Sequence, residues 1–207
     1  MPETETETRR PAAIDKRRAI LEAAILVFAR QGYHATRVSD IADEAGVAYG
    51  LVYHYFRSKE AVMTELFTER WSLLLAAGED VMAGEESPRV KLSAIAGFII
   101  DSYRHNPELM KVIIIEVTRA ANSFGRTHLP QIREAYDQVA QIVAQGQRDG
   151  IFRTDIDADF VGMSFYGAIE QLLSGWVFEL MPATDKEFDG AREMVVELIC
   201  GGLDRRD

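Results

Sequence analysis

One cysteine, Cys200, occurs among 207 residues, so no disulfide can form within the chain. It falls in an apolar C-terminal stretch, where its expected role is that of a small buried hydrophobe rather than a redox sensor. Basic residues are also scarce: 23 Lys and Arg stand against 33 Asp and Glu, for a net charge of −10. That balance argues against non-specific binding to polyanions. No apolar run is long enough to span a bilayer, so no membrane partner is expected. The first eight residues, M-P-E-T-E-T-E-T, lack the apolar core of a secretory signal, and a cytoplasmic location is expected. The hydrolase elbow G-x-S-x-G is missing, as are the dinucleotide and phosphate-loop glycine patterns. His34, His54, His105 and His128 lie far apart, with no second His or Cys at metal-ligand spacing. Neither an enzyme, a metal centre nor a cofactor is expected.

The acidity is uneven. Residues 9–59 carry nine Lys/Arg against five Asp/Glu, whereas residues 60–207 carry fourteen against twenty-five. The positive balance is therefore concentrated in one quarter of the chain. Residues 1–12 are low in complexity and read as a disordered arm. Arg9 and Arg10, with Lys16, Arg17 and Arg18 behind them, suit either a phosphate or minor-groove contact or a solvated basic patch.

Prolines and apolar periodicity divide the remainder into helices. The spacing predicts helices over about 13–31, 36–45, 48–55, 59–82, 88–105, 107–121, 129–148, 158–181 and 185–203. Gly32 stops the first, Asn106 and Asp157 cap the sixth and eighth, and Pro88, Pro107, Pro130 and Pro182 mark joints. The run Val112-Ile113-Ile114-Ile115 is β-branched, but its cap and the lack of any partner strand favour helix. The expected fold is all-α with nine helices.

The segment T-R-V-S-D-I-A-D-E-A-G-V-A-Y-G-L-V-Y-H-Y-F-R-S-K, residues 36–59, has the layout of a helix-turn-helix. Thr36 suits an N-cap, and Val38, Ile41, Ala42 and Ala45 form one inward face. Gly46 supplies the left-handed helix end. In the second helix Val52 and Phe56 face inward, which leaves Tyr49, Gly50, Tyr53 and His54 on other faces. Gly50 weakens that helix by roughly 1 kcal/mol relative to Ala, which suggests close approach of another body. Ser58 caps the next helix. Lys59 then sits in its first turn, where a cation opposes the helix dipole unless a phosphate lies nearby.

This string resembles the signature of the TetR family of bacterial regulators: D-I-A, A-G-V, G, Y-x-Y-F and K-E stand in the family's order. The resemblance implies an N-terminal three-helix DNA-binding domain over 13–58 and a ligand-binding and dimerisation domain over 59–207. Duplex operator DNA is then a partner. Tyr49, Gly50 and Leu51 are candidates for base edges, and Thr36, Arg37, Tyr53, His54 and Lys59 for phosphates, with Ala48 opening the reading helix. The segments N-P-E-L-M-K-V-I-I-I-E, P-Q-I-R-E-A-Y, G-Q-R-D-G-I-F-R-T-D-I-D and F-Y-G-A-I-E-Q-L-L-S-G-W-V are similar to those of the family's repressors of fatty-acid degradation. Those repressors respond to long-chain acyl-coenzyme A. This implies a hydrophobic effector, with Trp71, Phe98, Tyr103, Met110, Phe124, Tyr136, Phe165 and Tyr166 as candidate contacts. Arg104, Lys111, Arg119, Arg126 and Arg133 are candidates for the coenzyme A phosphates. A repressor of drug efflux or of another catabolic pathway, sensing a different apolar molecule, is the alternative.

The last two helices carry more apolar surface than one core uses. Ile169, Leu172, Leu173 and Trp176, with Met194, Val195 and Leu198, are the expected homodimer contacts. Gly162, Gly167 and Gly175 would admit a second helix closely. The resemblance implies the same four-helix interface, and two-fold pairing would suit a palindromic operator.

Overall fold

The computed structural model of the chain describes residues 9–119 and 123–204, and within them the side chains of residues 15–115 and 128–204. Among these residues every regular element is an α-helix. They are α1 (Arg9–Gln31), α2 (Val38–Glu44), α3 (Tyr49–Tyr55), α4 (Lys59–Ala83), α5 (Pro88–His105), α6 (Pro107–Arg119), α7 (Ser123–Arg148), α8 (Ala158–Val177) and α9 (Asp185–Leu203). The chain forms two compact units, Met1–Thr68 and Glu69–Asp207. Their boundary falls inside α4, past the helix start at which the sequence divides.

In the first unit Ile20, Ala24, Val27 and Phe28 line the inner face of α1, and Ile41, Val52, Phe56, Val62 and Phe67 close over them. The turn after α2 follows from one glycine. Gly46 has φ +63°, and the Val47 N–H reaches back to the Ala42 carbonyl at 3.0 Å. Val52 and Phe56 are both buried, which fixes the roll of α3 and turns its other faces outward. The Ser58 hydroxyl accepts from the Ala61 N–H at 3.2 Å and starts α4.

The second unit pairs α5 with α9 and α7 with α8. Its core runs from Leu92, Ile95 and Ile99 through Val139 and Val143 to Phe165, Val195 and Cys200. Asn106 and Asp157 accept from the N–H groups of Leu109 (3.0 Å) and Phe160 (2.9 Å), which starts α6 and α8. The β-branched residues Val112, Ile113 and Ile114 of α6 are buried, so their conformational stiffness serves packing within a helix. Burial also pushes the Cys200 thiol up to about 11, which keeps it protonated and unreactive at neutral pH.

Four expectations about the elements need correction. α1 begins at Arg9, not at 13, because Pro11 lies in the first turn, where its missing N–H has no helical partner to lose. Residues 9–12 of the expected arm are therefore helical, and residues 1–8 lie outside the described residues. α7 runs through Pro130 rather than starting near it; Pro130 is exposed, and the helix continues with one bond fewer. α8 stops at Val177, where Glu179 adopts φ +57° and the Leu180 N–H closes on the Gly175 carbonyl at 2.8 Å. Gly162 serves the chain itself: a Cβ there would lie 2.7 Å from the Tyr136 carbonyl oxygen, so the glycine lets α8 press against α7.

Candidate DNA-contacting face and ligand cavity

Tyr49 and Tyr53 stand one turn apart on the outer face of α3, 52% and 44% exposed. Their rings meet edge to face at 5.1 Å, and their hydroxyls lie 3.1 Å apart. That hydrogen bond raises the Tyr53 phenol above its ordinary range. Gly50 and His54 are exposed beside them, Ala48 is exposed at the N-cap, and Leu51 is half-buried. A Cβ built on Gly50 meets nothing within 4 Å, so no neighbour in the chain requires glycine there. The helix thus forgoes roughly 1 kcal/mol relative to alanine without an internal reason. Arg37 is exposed at the N-cap of α2. Its N–H donates to Asp40 at 2.9 Å, and with the Gln31 amide, also at 2.9 Å, holds that carboxyl below the usual carboxylate range.

Two residues assigned to phosphates have other roles in the structure. Thr36 is 2% exposed, and its hydroxyl donates to the Gly32 carbonyl at 2.8 Å. It ties down the α1–α2 turn, and Arg37 takes the N-cap position expected for it. Lys59 is a clamp on the same turn. Its ammonium donates to the carbonyls of Tyr33 (2.9 Å), His34 (3.2 Å) and Thr36 (3.0 Å). It also lies 4.7 Å from the centre of the Tyr33 ring. An ammonium has three donors, and here all three have carbonyl acceptors. Those carbonyls also answer the unfavourable placement of a cation at a helix start.

In the second unit a cavity of about 160 Å³ opens among α4 to α8. Trp71 and Leu74 of α4, Ile99 of α5 and Met110, Ile113 and Ile114 of α6 form one side. Ile132 and Tyr136 of α7 with Tyr166, Ile169 and Leu173 of α8 form the other. Arg70 and Glu170 are the charged members of an otherwise largely apolar wall.

Of the ligand candidates named from sequence, Trp71, Met110, Tyr136 and Tyr166 meet at this cavity. The others do not. Tyr103 packs between Trp176 (5.5 Å) and Phe188 (6.0 Å) in the core, and Phe165 is fully buried. Phe98 supports the Arg70 guanidinium at 4.9 Å from behind the wall. Arg104 is engaged by Asp185 (2.9 Å), Asp189 (3.2 Å) and Asp101 (3.3 Å), which removes it from the candidates for a ligand phosphate. Arg133 is exposed on α7 away from the lining, and Lys111 is half-buried on α6. The side chains of Arg119, Phe124 and Arg126 lie outside the described residues. Arg70 and Glu170 escaped the sequence reading because nothing local marks one helical charge as facing a cavity.

The expected dimer contacts also separate. Ile169, Leu173, Trp176 and Val195 are at most 4% exposed and belong to the chain's own core, so both apolar faces of α8 are used internally. Leu172 is half-buried. Met194 and Leu198, one turn apart on α9, are 63% and 73% exposed. Met163 and Phe160 on α8 are 56% and 62% exposed, and Gly167 has open space where a Cβ would stand. α8 and α9 pack on each other.

No helix among the described residues is long and apolar enough to cross a membrane. The family model described as "Bacterial regulatory proteins, tetR family" matches residues 20–66. The model described as "Tetracyclin repressor-like, C-terminal domain" matches residues 88–199. The fatty acid metabolism regulator protein of Bacillus subtilis (strain 168) is 27% identical over 187 residues, spanning 89% of this chain and 93% of that protein. The HTH-type transcriptional repressor KstR2 of Mycobacterium tuberculosis (strain ATCC 25618 / H37Rv) is 29% identical over 147 residues, 70% of this chain and 74% of that one. Among solved structures, the transcriptional regulator FadR from Bacillus subtilis in complex with stearoyl-CoA has a similar fold. Its TM-score is 0.80 at 23% identity, covering 89% of this chain and 98% of the other.

Proposed function

The chain belongs to the TetR family of bacterial regulatory proteins, as a transcriptional repressor related to regulators of fatty-acid metabolism rather than an enzyme, and from that premise we propose how it acts. Two copies bind a palindromic operator through α3, and a hydrophobic effector bound in the second unit, a long-chain acyl-coenzyme A, releases them. The observation that carries the DNA half is the outer face of α3. Tyr49 and Gly50, followed by half-buried Leu51, meet base edges, while Arg37, Tyr53 and His54 meet phosphates. The glycine that no neighbour requires is where the helix backbone comes closest to the duplex.

The two copies join through the outward faces of α8 and α9, with Met163, Met194 and Leu198 at the centre. A two-fold dimer then places its reading helices one DNA turn apart, about 34–36 Å. The effector half rests on the cavity. At about 160 Å³ it matches a void of roughly 150 Å³ that admits one benzene ring, so a long acyl chain must displace wall side chains to enter. Trp71 and Leu74 of α4 stand in that wall, and α4 is shared by both units. A ligand that moves them favours a state of α4 that no longer suits DNA, provided it binds that state more tightly. Likeness to KstR2, at 29% identity over 147 residues against 27% over 187 for the fatty-acid regulator, supports a second reading: a repressor of another catabolic pathway with a different apolar effector.

Selection from a random duplex library tests the DNA half. The expected product is a palindrome with half-site centres about one turn apart, and Tyr49→Ala should shift the preferred half-site. Selection of unrelated sequences would refute operator recognition, and an unchanged preference in Tyr49→Ala would remove that residue from the readout.

A further inference from the structure

Tyr166 lines the cavity from α8, and its hydroxyl is buried without a hydrogen-bond partner. The residue as a whole is 8% exposed. Its ring is packed by the chain itself: Tyr136 meets it at 5.1 Å with the planes tilted by 40°, and Phe165 meets it edge-on at 5.8 Å. Phenylalanine would make the same ring contacts. The oxygen therefore destabilises the free chain, because a buried donor left unpaired forfeits the hydrogen bonds it made to water. Burial, with Tyr136 nearby, raises the phenol above its ordinary range, so the proton stays on it at neutral pH and is there to donate. Other polar members of the wall are placed differently. The Arg70 guanidinium has the Ser102 hydroxyl and the face of Phe98, and Tyr136 and Glu170 are half-buried.

An unpaired donor in a largely apolar wall restricts what can satisfy it. Among the groups a hydrocarbon chain can carry, a carbonyl oxygen accepts from the phenol and brings no donor of its own to be left unpaired. A bare methylene chain would leave the hydroxyl as it stands in the free protein. The cavity, at about 160 Å³, must widen before a long chain enters, and widening beside Tyr166 brings its hydroxyl within reach of what enters. We infer that the Tyr166 hydroxyl donates to a carbonyl oxygen of the effector inside the cavity, which makes Tyr166 the residue that tells a carbonyl compound from a plain chain of equal length. This rests on the effector reading above and deepens it. In an acyl-coenzyme A the acceptor is the thioester carbonyl; in a different apolar effector it is a ketone.

Calorimetric titration of the full chain tests it with three probes: dodecanoyl-coenzyme A, S-dodecyl-coenzyme A, in which a methylene replaces the thioester carbonyl, and 2-dodecanone. The variant is Tyr166→Phe, which removes one oxygen and no ring contact, and it should melt at or above the parent's temperature. The parent should bind the thioester at least about fivefold more tightly than the thioether, because a site with a hydrogen-bonding group discriminates against an analogue that leaves it unpaired. Tyr166→Phe should cut that preference below about twofold and leave the thioether's affinity unchanged. Equal affinities for thioester and thioether in the parent would overturn the inference and leave the acyl-coenzyme A reading standing, a comparison that needs no variant. A preference that persists in Tyr166→Phe would also overturn it. So would a variant that melts below the parent, since the hydroxyl would then have a partner in the free chain. If neither coenzyme A compound binds but the ketone does, and Tyr166→Phe weakens it by a similar factor, the inference holds and the thioester reading fails. A ketone bound equally by both proteins, with no thioester bound, overturns both, as does binding of none of the three.

Discussion

Leu198→Glu is expected to abolish operator binding while leaving each chain folded. Leu198 is 73% exposed, so the single chain gives up little packing when it is replaced. In the proposed dimer the two copies of this position lie near the two-fold axis, and the substitution brings two carboxylates together in an apolar contact. Desolvating them costs several kcal/mol per ion without a partner. Sedimentation should give a monomer and circular dichroism the parent's helicity, with the melting temperature lowered by no more than the lost stabilisation from association. Operator affinity should fall at least about a hundredfold, because one reading helix then has to hold its half-site without the other. A variant that still sediments as a dimer would move the interface off this face of α9.

Lys59→Ala should unfold the first unit far more readily, and this is the second large effect. The ammonium joins three carbonyls of the α1–α2 turn, and hydrogen bonds to a charged group contribute about 1.5–3 kcal/mol each, without simple additivity. A net loss of about 2–3 kcal/mol is expected. For a unit of this size that is a fall of roughly 10 °C or more in melting temperature. DNA binding should be lost in step with folding, recovering in part at low temperature. The competing outcome is specific. A variant that melts as the parent does, yet binds every sequence more weakly with a salt slope reduced by about one, would make Lys59 a phosphate contact.

Lys59 also illustrates where the sequence stops being legible. Its position in the first turn of α4 was readable, and so was the oddity of a cation there. The three carbonyls that resolve the oddity come from residues 33–36, and only tertiary folding brings them to it. Local rules served well where local chemistry decides: Gly46 at the end of α2, Ser58, Asn106 and Asp157 as caps, and the burial of Val52 and Phe56 that turns Tyr49 and Tyr53 outward. They failed at Pro130, where an exposed helix tolerates one missing bond. The apolar breadth of α8 was real, but periodicity does not say whether a wide face meets a partner or the same chain. Ile169, Leu173 and Trp176 meet the same chain. For the cavity, aromatic and Met content pointed to Trp71, Met110, Tyr136 and Tyr166. Arg70 and Glu170 could not be found that way, because a charged residue on a helix normally faces water and no spacing marks the exception.

In the proposed mechanism, what enters the second unit governs what the first unit holds. Fluorescence anisotropy of the selected operator duplex bound to the protein, titrated with long-chain acyl-coenzyme A thioesters and with coenzyme A alone, tests this. Saturable release by the acylated compounds and none by coenzyme A is expected, with the unsubstituted protein and Tyr49→Ala sharing the same effector affinity. Operator binding indifferent to every acylated compound, while the same compounds bind the protein, would contradict it.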